Sequence, residues 1–117
     1  MTEIINDNVI ISETINTELG EYNLLREYIG GVDDNGEIDT INAIGCYISL
    51  NETEKTAGSG ATEGLYNILN KLGFEVFINE EVIYNSFPLV CRSVTVENFI
   101  DDNTTETIAE TIRDYFR

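Results

Sequence analysis

Three stretches hold residues whose type and spacing suggest chemistry. Gly58-Ser59-Gly60-Ala61-Thr62 stands ahead of a helical pattern, the setting of a phosphate-cradling loop. The window that opens at Gly58 ends on Glu63 where that motif has Gly, and no Lys follows to meet phosphate oxygens. The stretch reads as a flexible loop. Asp33-Asp34-Asn35-Gly36-Glu37-Ile38-Asp39 resembles part of a calcium loop. With Gly36 in sixth place, however, the first position falls on Gly31 and the closing Glu on Asn42. It reads as a solvated acidic turn. Cys46 and Cys91 lie in apolar surroundings and are expected to be buried, reduced thiols. A catalytic thiol needs a base, and the chain contains no His. Carboxylate pairs occur everywhere along the chain and single out no acid–base couple. The expectation is therefore no catalytic residue, no metal, no cofactor and no enzymatic activity.

Charge is the strongest datum. Asp and Glu number 22 against 6 Lys and Arg, a net −16. Such a surface repels phosphate, so direct nucleic-acid binding is not expected, nor is attachment to an acidic membrane face. Apolar runs such as Val9–Ile11 are only three residues long, too short to span a membrane. Met1–Asp7 has neither the basic segment nor the apolar run of a signal peptide, so an intracellular site of synthesis is expected. The apolar fraction is 42%, which is ordinary for a folded chain, and residues 1–117 are expected to form one domain. The partners left are proteins: further copies of the chain, or a basic protein. The residues expected to meet them are Asp33, Asp34, Glu37 and Asp39 in the acidic turn, Glu52, Glu54 and Lys55 in the following loop, and Glu80 and Glu81 between two strand-like runs.

These residues must be positioned by the surrounding elements. Ile4, Ile11, Ile15, Leu19, Tyr22, Leu25 and Ile29 are spaced seven, four, four, three, three and four apart, which fits a helical stripe over 4–29. Asn8 would cap it and Gly30-Gly31 would end it; Gly20 and the β-branched run from Val9 to Ile15 leave a strand open as the alternative. Asn35-Gly36 signals a type I′ turn. Thr40–Leu50 reads as a strand with Ile44, Cys46, Ile48 and Leu50 inward. Thr62 would cap a helix with Leu65, Ile68, Leu69 and Leu72 buried and Gly73 at its C-terminal end. Phe74–Tyr84 reads as a hairpin or bent pair around Asn79-Glu80-Glu81, and Leu89–Ile100 as an alternating strand. Asn103 and Glu106 resemble a capping box ahead of a last helix with Ile108, Ile112, Tyr115 and Phe116 inward. The predicted fold is α+β: a small, mostly antiparallel sheet packed by an N-terminal, a central and a C-terminal helix.

The order of elements from Ile41 to Ile100 is similar to that of bacteriophage tail-terminator and neck proteins. It comprises the strand Ala43–Leu50, the loop Glu52–Gly60, the helix Thr62–Leu72 and the returning strand Leu89–Phe99. The paired strands that the family carries just before this stretch are not evident in the sequence, and the C-terminal helix is additional. The resemblance implies a structural subunit of a ring that closes the phage tail, made in the host cytoplasm and carried in the virion; it transfers no residue roles. The competing expectation is an acidic inhibitor, of the anti-CRISPR, anti-restriction or nuclease-immunity kind, acting by nucleic-acid mimicry.

Overall fold

The computed structural model describes residues 1–84, 88–96 and 101–117. Its first third is strand. β1 (Thr2–Ile5), β2 (Asn8–Thr17) and β3 (Gly20–Ile29) form two successive hairpins where the spacing predicted a helix over 4–29. Two features decide the outcome. Ile4, Ile5, Val9, Ile10, Ile11, Thr14, Ile15 and Thr17 are β-branched, which favours the pleated chain over the helix. Asn6 and Asp7 both adopt positive φ, 51° and 64°, the two-residue turn whose twist matches paired strands. Gly20, at φ 141°, closes the second hairpin, where Thr17 Oγ1 donates to the Gly20 carbonyl at 2.7 Å.

The chain then crosses a 3₁₀ turn, Thr40–Asn42, and enters β4 (Gly45–Glu52). The strand expected from Thr40 thus starts later, and Ile44, expected inward, is exposed while Cys46, Ile48 and Leu50 are buried. Asn35 keeps negative φ, so the predicted type I′ turn is not formed. Instead Gly36 N–H donates to the Asp33 carbonyl at 3.0 Å, and Asp33 Oδ1 accepts from the N–H of both Asn35 and Glu37. α1 (Ala61–Lys71) is capped by Gly60 and not by Thr62. Its C-terminal end is as expected: Gly73 at φ 94° lets its own N–H reach Asn70 O and the Phe74 N–H reach Leu69 O. Leu65 and Leu69 are buried, but Ile68 and Leu72 at the edge of the stripe remain exposed. β5 (Val76–Tyr84) runs unbroken through Asn79-Glu80-Glu81, so no hairpin forms there; it pairs along its whole length with β6 (Pro88–Val96). The predicted continuation of β6 to Ile100 falls on 97–100, outside the described residues. α2 (Asp102–Tyr115) is capped by Asp101, whose side chain accepts from Thr104 N–H at 2.7 Å, so Asn103 lies in the first turn and makes no capping box.

All six strands lie in one antiparallel sheet, in the order β1-β2-β3-β4-β6-β5. The expected α+β class with a mostly antiparallel sheet is therefore found with two α-helices among the described residues, and the expectation of three packing helices is overturned. Register separates the faces. Tyr22 and Leu24 on β3, Ile48 and Leu50 on β4, Val94 and Val96 on β6 and Val76 on β5 point to one side. There they pack against Leu65 and Leu69 of α1 and Ile108, Ala109 and Ile112 of α2. The opposite face is mixed. Asn23, Asn51, Ser93 and Asn79 sit side by side across β3, β4, β6 and β5, while the next row is Leu25, Ser49, Thr95 and Phe77, and Tyr47 lies beyond it. An antiparallel sheet tolerates such a face in water.

Leu69 is fully buried between helix and sheet. Leu69→Ala should cost about 2–5 kcal/mol. Urea unfolding followed by circular dichroism should show a lower midpoint with an unchanged slope.

Candidate functional site

The residues singled out by the sequence fall at opposite ends of the sheet. Asp33, Asp34, Glu37 and Asp39 lie in the connection from Ile29 to Gly45, which are register partners at one end of β3 and β4. Glu52 is the last residue at the other end of β4, facing Tyr22 across the register, and Glu54 and Lys55 follow it. Glu80 and Glu81 lie beyond that same end, opposite Arg92 and Cys91. Seven residues of strand separate the two ends, about 23 Å.

Glu52 is not a surface contact. It is buried, at 6% exposure, and its carboxylate accepts from Thr62 Oγ1 at 2.9 Å and from the Arg92 N–H at 2.8 Å. One side chain thereby joins β4, the first turn of α1 and β6 at the point where β4 and β6 part. The loop after it is also tied down. Thr53 and Thr56 hydroxyls donate to the Glu21 carbonyl at 2.7 and 3.0 Å, and Ser59 hydrogen-bonds the Tyr22 hydroxyl. Gly58-Ser59-Gly60 is therefore fastened to β3 instead of cradling an anion. Burial pushes the Cys46 and Cys91 thiols up, so both stay protonated at neutral pH and are poor nucleophiles. Tyr28 is pushed up to about 12, first by burial.

The guanidinium groups are held by the chain's own carboxylates. Arg26 meets Glu106 at 2.7 Å, and Arg92 meets Glu63 at 2.8 Å and Glu80 at 3.8 Å. Arg117 meets Asp114 at 2.6 Å. Arg113 joins Glu13, 100 residues away in sequence, through two hydrogen bonds of 2.9 and 2.7 Å, and also Glu106 and Glu110. This bidentate pair fixes the last turn of α2 to β2, a link no local pattern announces. The pairing also bears on mimicry. Glu106, Glu110 and Asp114 recur every four residues along the outer side of α2, a rise of about 6 Å each. Their charges are offset by Arg113 and Arg117, so this row is largely neutralised. The carboxylates of the turn at Asp33–Asp39 have no arginine among their described ion-pair partners.

No protein-family model matches this chain, and the searches of curated proteins and of solved structures also give no match.

Two outcomes test this geometry. Glu52→Ala leaves a buried hydroxyl and a buried N–H without an acceptor and should destabilise the protein by about 2–4 kcal/mol, read as a fall in urea midpoint. The second concerns pH. Glu13 is lowered, foremost by its hydrogen bond from Arg113. At Glu106 partial burial pulls upward, but the hydrogen bond from Arg113 and the charge of Arg26 outweigh it, so its pKa is lowered too. A lowered carboxylate contributes stability above its unfolded value and loses it as pH falls through the folded value. The stability gap between the protein and Arg113→Met should be full at neutral pH and should close below the ordinary glutamate range, as measured by urea unfolding across that interval.

Proposed function

We propose that this protein is a non-enzymatic assembly subunit that associates head to tail with further copies of itself, as in a ring of the phage tail-terminator or neck kind. The observation that carries the reading is the far end of the β5–β6 hairpin. β4 pairs with β6 only from Ser93 to Val96, whereas β5 and β6 stay paired down to Tyr84 and Pro88. The five rows from Glu80–Arg92 outward form a two-stranded arm, roughly 15 Å long, with no third strand among the described residues. A two-stranded ribbon is marginal in water by itself. This one also carries a cross-strand valine pair in the open, Val82 at 45% and Val90 at 42% exposure.

Sheet edges support the same reading. β5 is nine residues long, contains no Pro and has no partner strand on its outer side among the described residues. The opposite edge, β1, is four residues long and fully exposed. Two unlike free edges suit a heterologous contact, the kind that closes into rings. The hairpin β2–β3 also places paired strands before Ile41, which brings the element order closer to that of the tail-terminator and neck proteins than the sequence suggested.

Copies with a net −16 repel one another, so their association must be favoured by salt, which screens that repulsion. Light scattering should show oligomers that grow with protein concentration and as salt rises from about 0.05 to about 0.5 M. Val82→Lys with Val90→Lys should yield monomers with an unchanged circular dichroism spectrum. A chain that stays monomeric under all these conditions and tightly inhibits a basic nuclease at low salt would replace this reading with the acidic-inhibitor one.

A further inference from the structure

The connection between β3 and β4 exposes three isoleucines at a spacing of three. Ile38 is 52% exposed, Ile41 78% and Ile44 72%. Large aliphatic side chains this open on one seven-residue segment leave apolar surface in water that folding alone does not explain. The segment is nonetheless well fastened. Asp39 N–H donates to the Gly31 carbonyl at 2.7 Å, Ile44 N–H to the Ile29 carbonyl at 2.9 Å and Ala43 N–H to the Thr40 carbonyl at 3.3 Å. Asn42 Nδ2 donates to Asp39 Oδ2 at 2.9 Å, and Ile38 bridges Val32. Apolar side chains presented by an ordered backbone bind at low entropic cost, the arrangement of interface anchors.

The surroundings indicate the partner. Asp33, Asp34 and Glu37 are exposed carboxylates on the same connection, and Asp7 is exposed in the turn between β1 and β2 at the same end of the sheet. Exposed isoleucines and carboxylates on one connection complement an apolar face flanked by Lys or Arg. A second copy offers no such flank: its four arginines are each engaged with carboxylates of their own chain. Lys55 lies at the far end of the sheet, and Lys71 stands alone in the last turn of α1. We propose that Ile38, Ile41 and Ile44 with the neighbouring carboxylates are a docking surface for a different protein, one that presents an apolar face flanked by basic side chains. This surface lies at the end of the sheet opposite the β5–β6 arm and does not depend on self-assembly.

A synthetic amphipathic helical peptide with a leucine face flanked by lysines serves as the probe, and its counterpart with serine for every leucine as the control of equal charge. The leucine peptide should bind, as measured by fluorescence anisotropy, and perturb backbone amide resonances over 33–44. Binding should weaken as salt rises, opposite in sign to self-association. Ile41→Ser with Ile44→Ser should reduce affinity tenfold or more while retaining the urea midpoint, and Asp34→Asn with Glu37→Gln should reduce it several-fold and flatten the salt dependence. The serine peptide should bind weakly and equally to all three proteins. Perturbations centred elsewhere, such as the outer side of α2, or equal affinity of the isoleucine variant, would overturn the proposal as non-specific charge binding. Loss of self-association in the isoleucine variant would overturn it in favour of a second copy on this surface.

Discussion

The architecture depends on the one-sided apolar pattern of the sheet. Tyr22, Leu24, Ile48, Leu50, Val94 and Val96 line one face of β3, β4 and β6 and draw both helices onto it, while the other face mixes Asn, Ser and Thr with Leu25, Tyr47 and Phe77. α1 and α2 together hide the apolar rows that adjoin them through Leu65, Leu69, Ile108 and Ile112. What they do not reach stays exposed, as with Ile4 and Ile5 of β1, Val82 and Val90 of the arm, and Tyr47 and Phe77 on the open face.

The same layout governs charge. Arg26 and Arg113 reach from the sheet and from α2 to shared Glu106, and Arg113 continues to Glu13. These contacts lock α2 against β2 and β3, and they also remove guanidinium groups from any outward role. The net −16 is thus sharper at the surface than an even mixture of the same charges would be. At the covered face opposite charges meet; in the connection Asp33–Asp39 the carboxylates have no arginine beside them.

Legibility in the sequence followed the range of the interactions. The two helices were readable because their determinants are local: Leu65, Leu69 and Gly73 for α1, Ile108 and Ile112 for α2. The first 29 residues were not, because a spacing of four satisfies both a helix and a strand. Ile11, Ile15 and Tyr22 do share a face, but it is a sheet face, and the Asn6-Asp7 turn resets the count between Ile4 and Ile11. Ile44 was misplaced for a related reason: the alternation that holds from Cys46 to Leu50 was carried back past Gly45, where β4 begins. Among the site residues, the acidic turn was visible as composition. The role of Glu52 was not, since its partners Thr62 and Arg92 lie 10 and 40 residues away.

Those long-range links explain why the two ends of the molecule differ in character. At one end Glu52 closes the sheet by standing in for a strand, offering its carboxylate to the Arg92 N–H just where β4 stops pairing with β6. Beyond it the arm continues as bare ribbon, whose remaining main-chain groups and valines are satisfied most directly by another strand or apolar surface. At the other end the chain between β3 and β4 folds back on itself through its own carbonyls and through Asp33 and Asp39, leaving no free ladder but three aliphatic side chains among carboxylates. Main-chain pairing suits a copy of the same chain, which offers a second sheet edge, β1, among the described residues. Side-chain anchors in an acidic setting suit a chain of opposite charge. Under the proposed head-to-tail association and the proposed docking surface, the two ends of the molecule divide these roles between them.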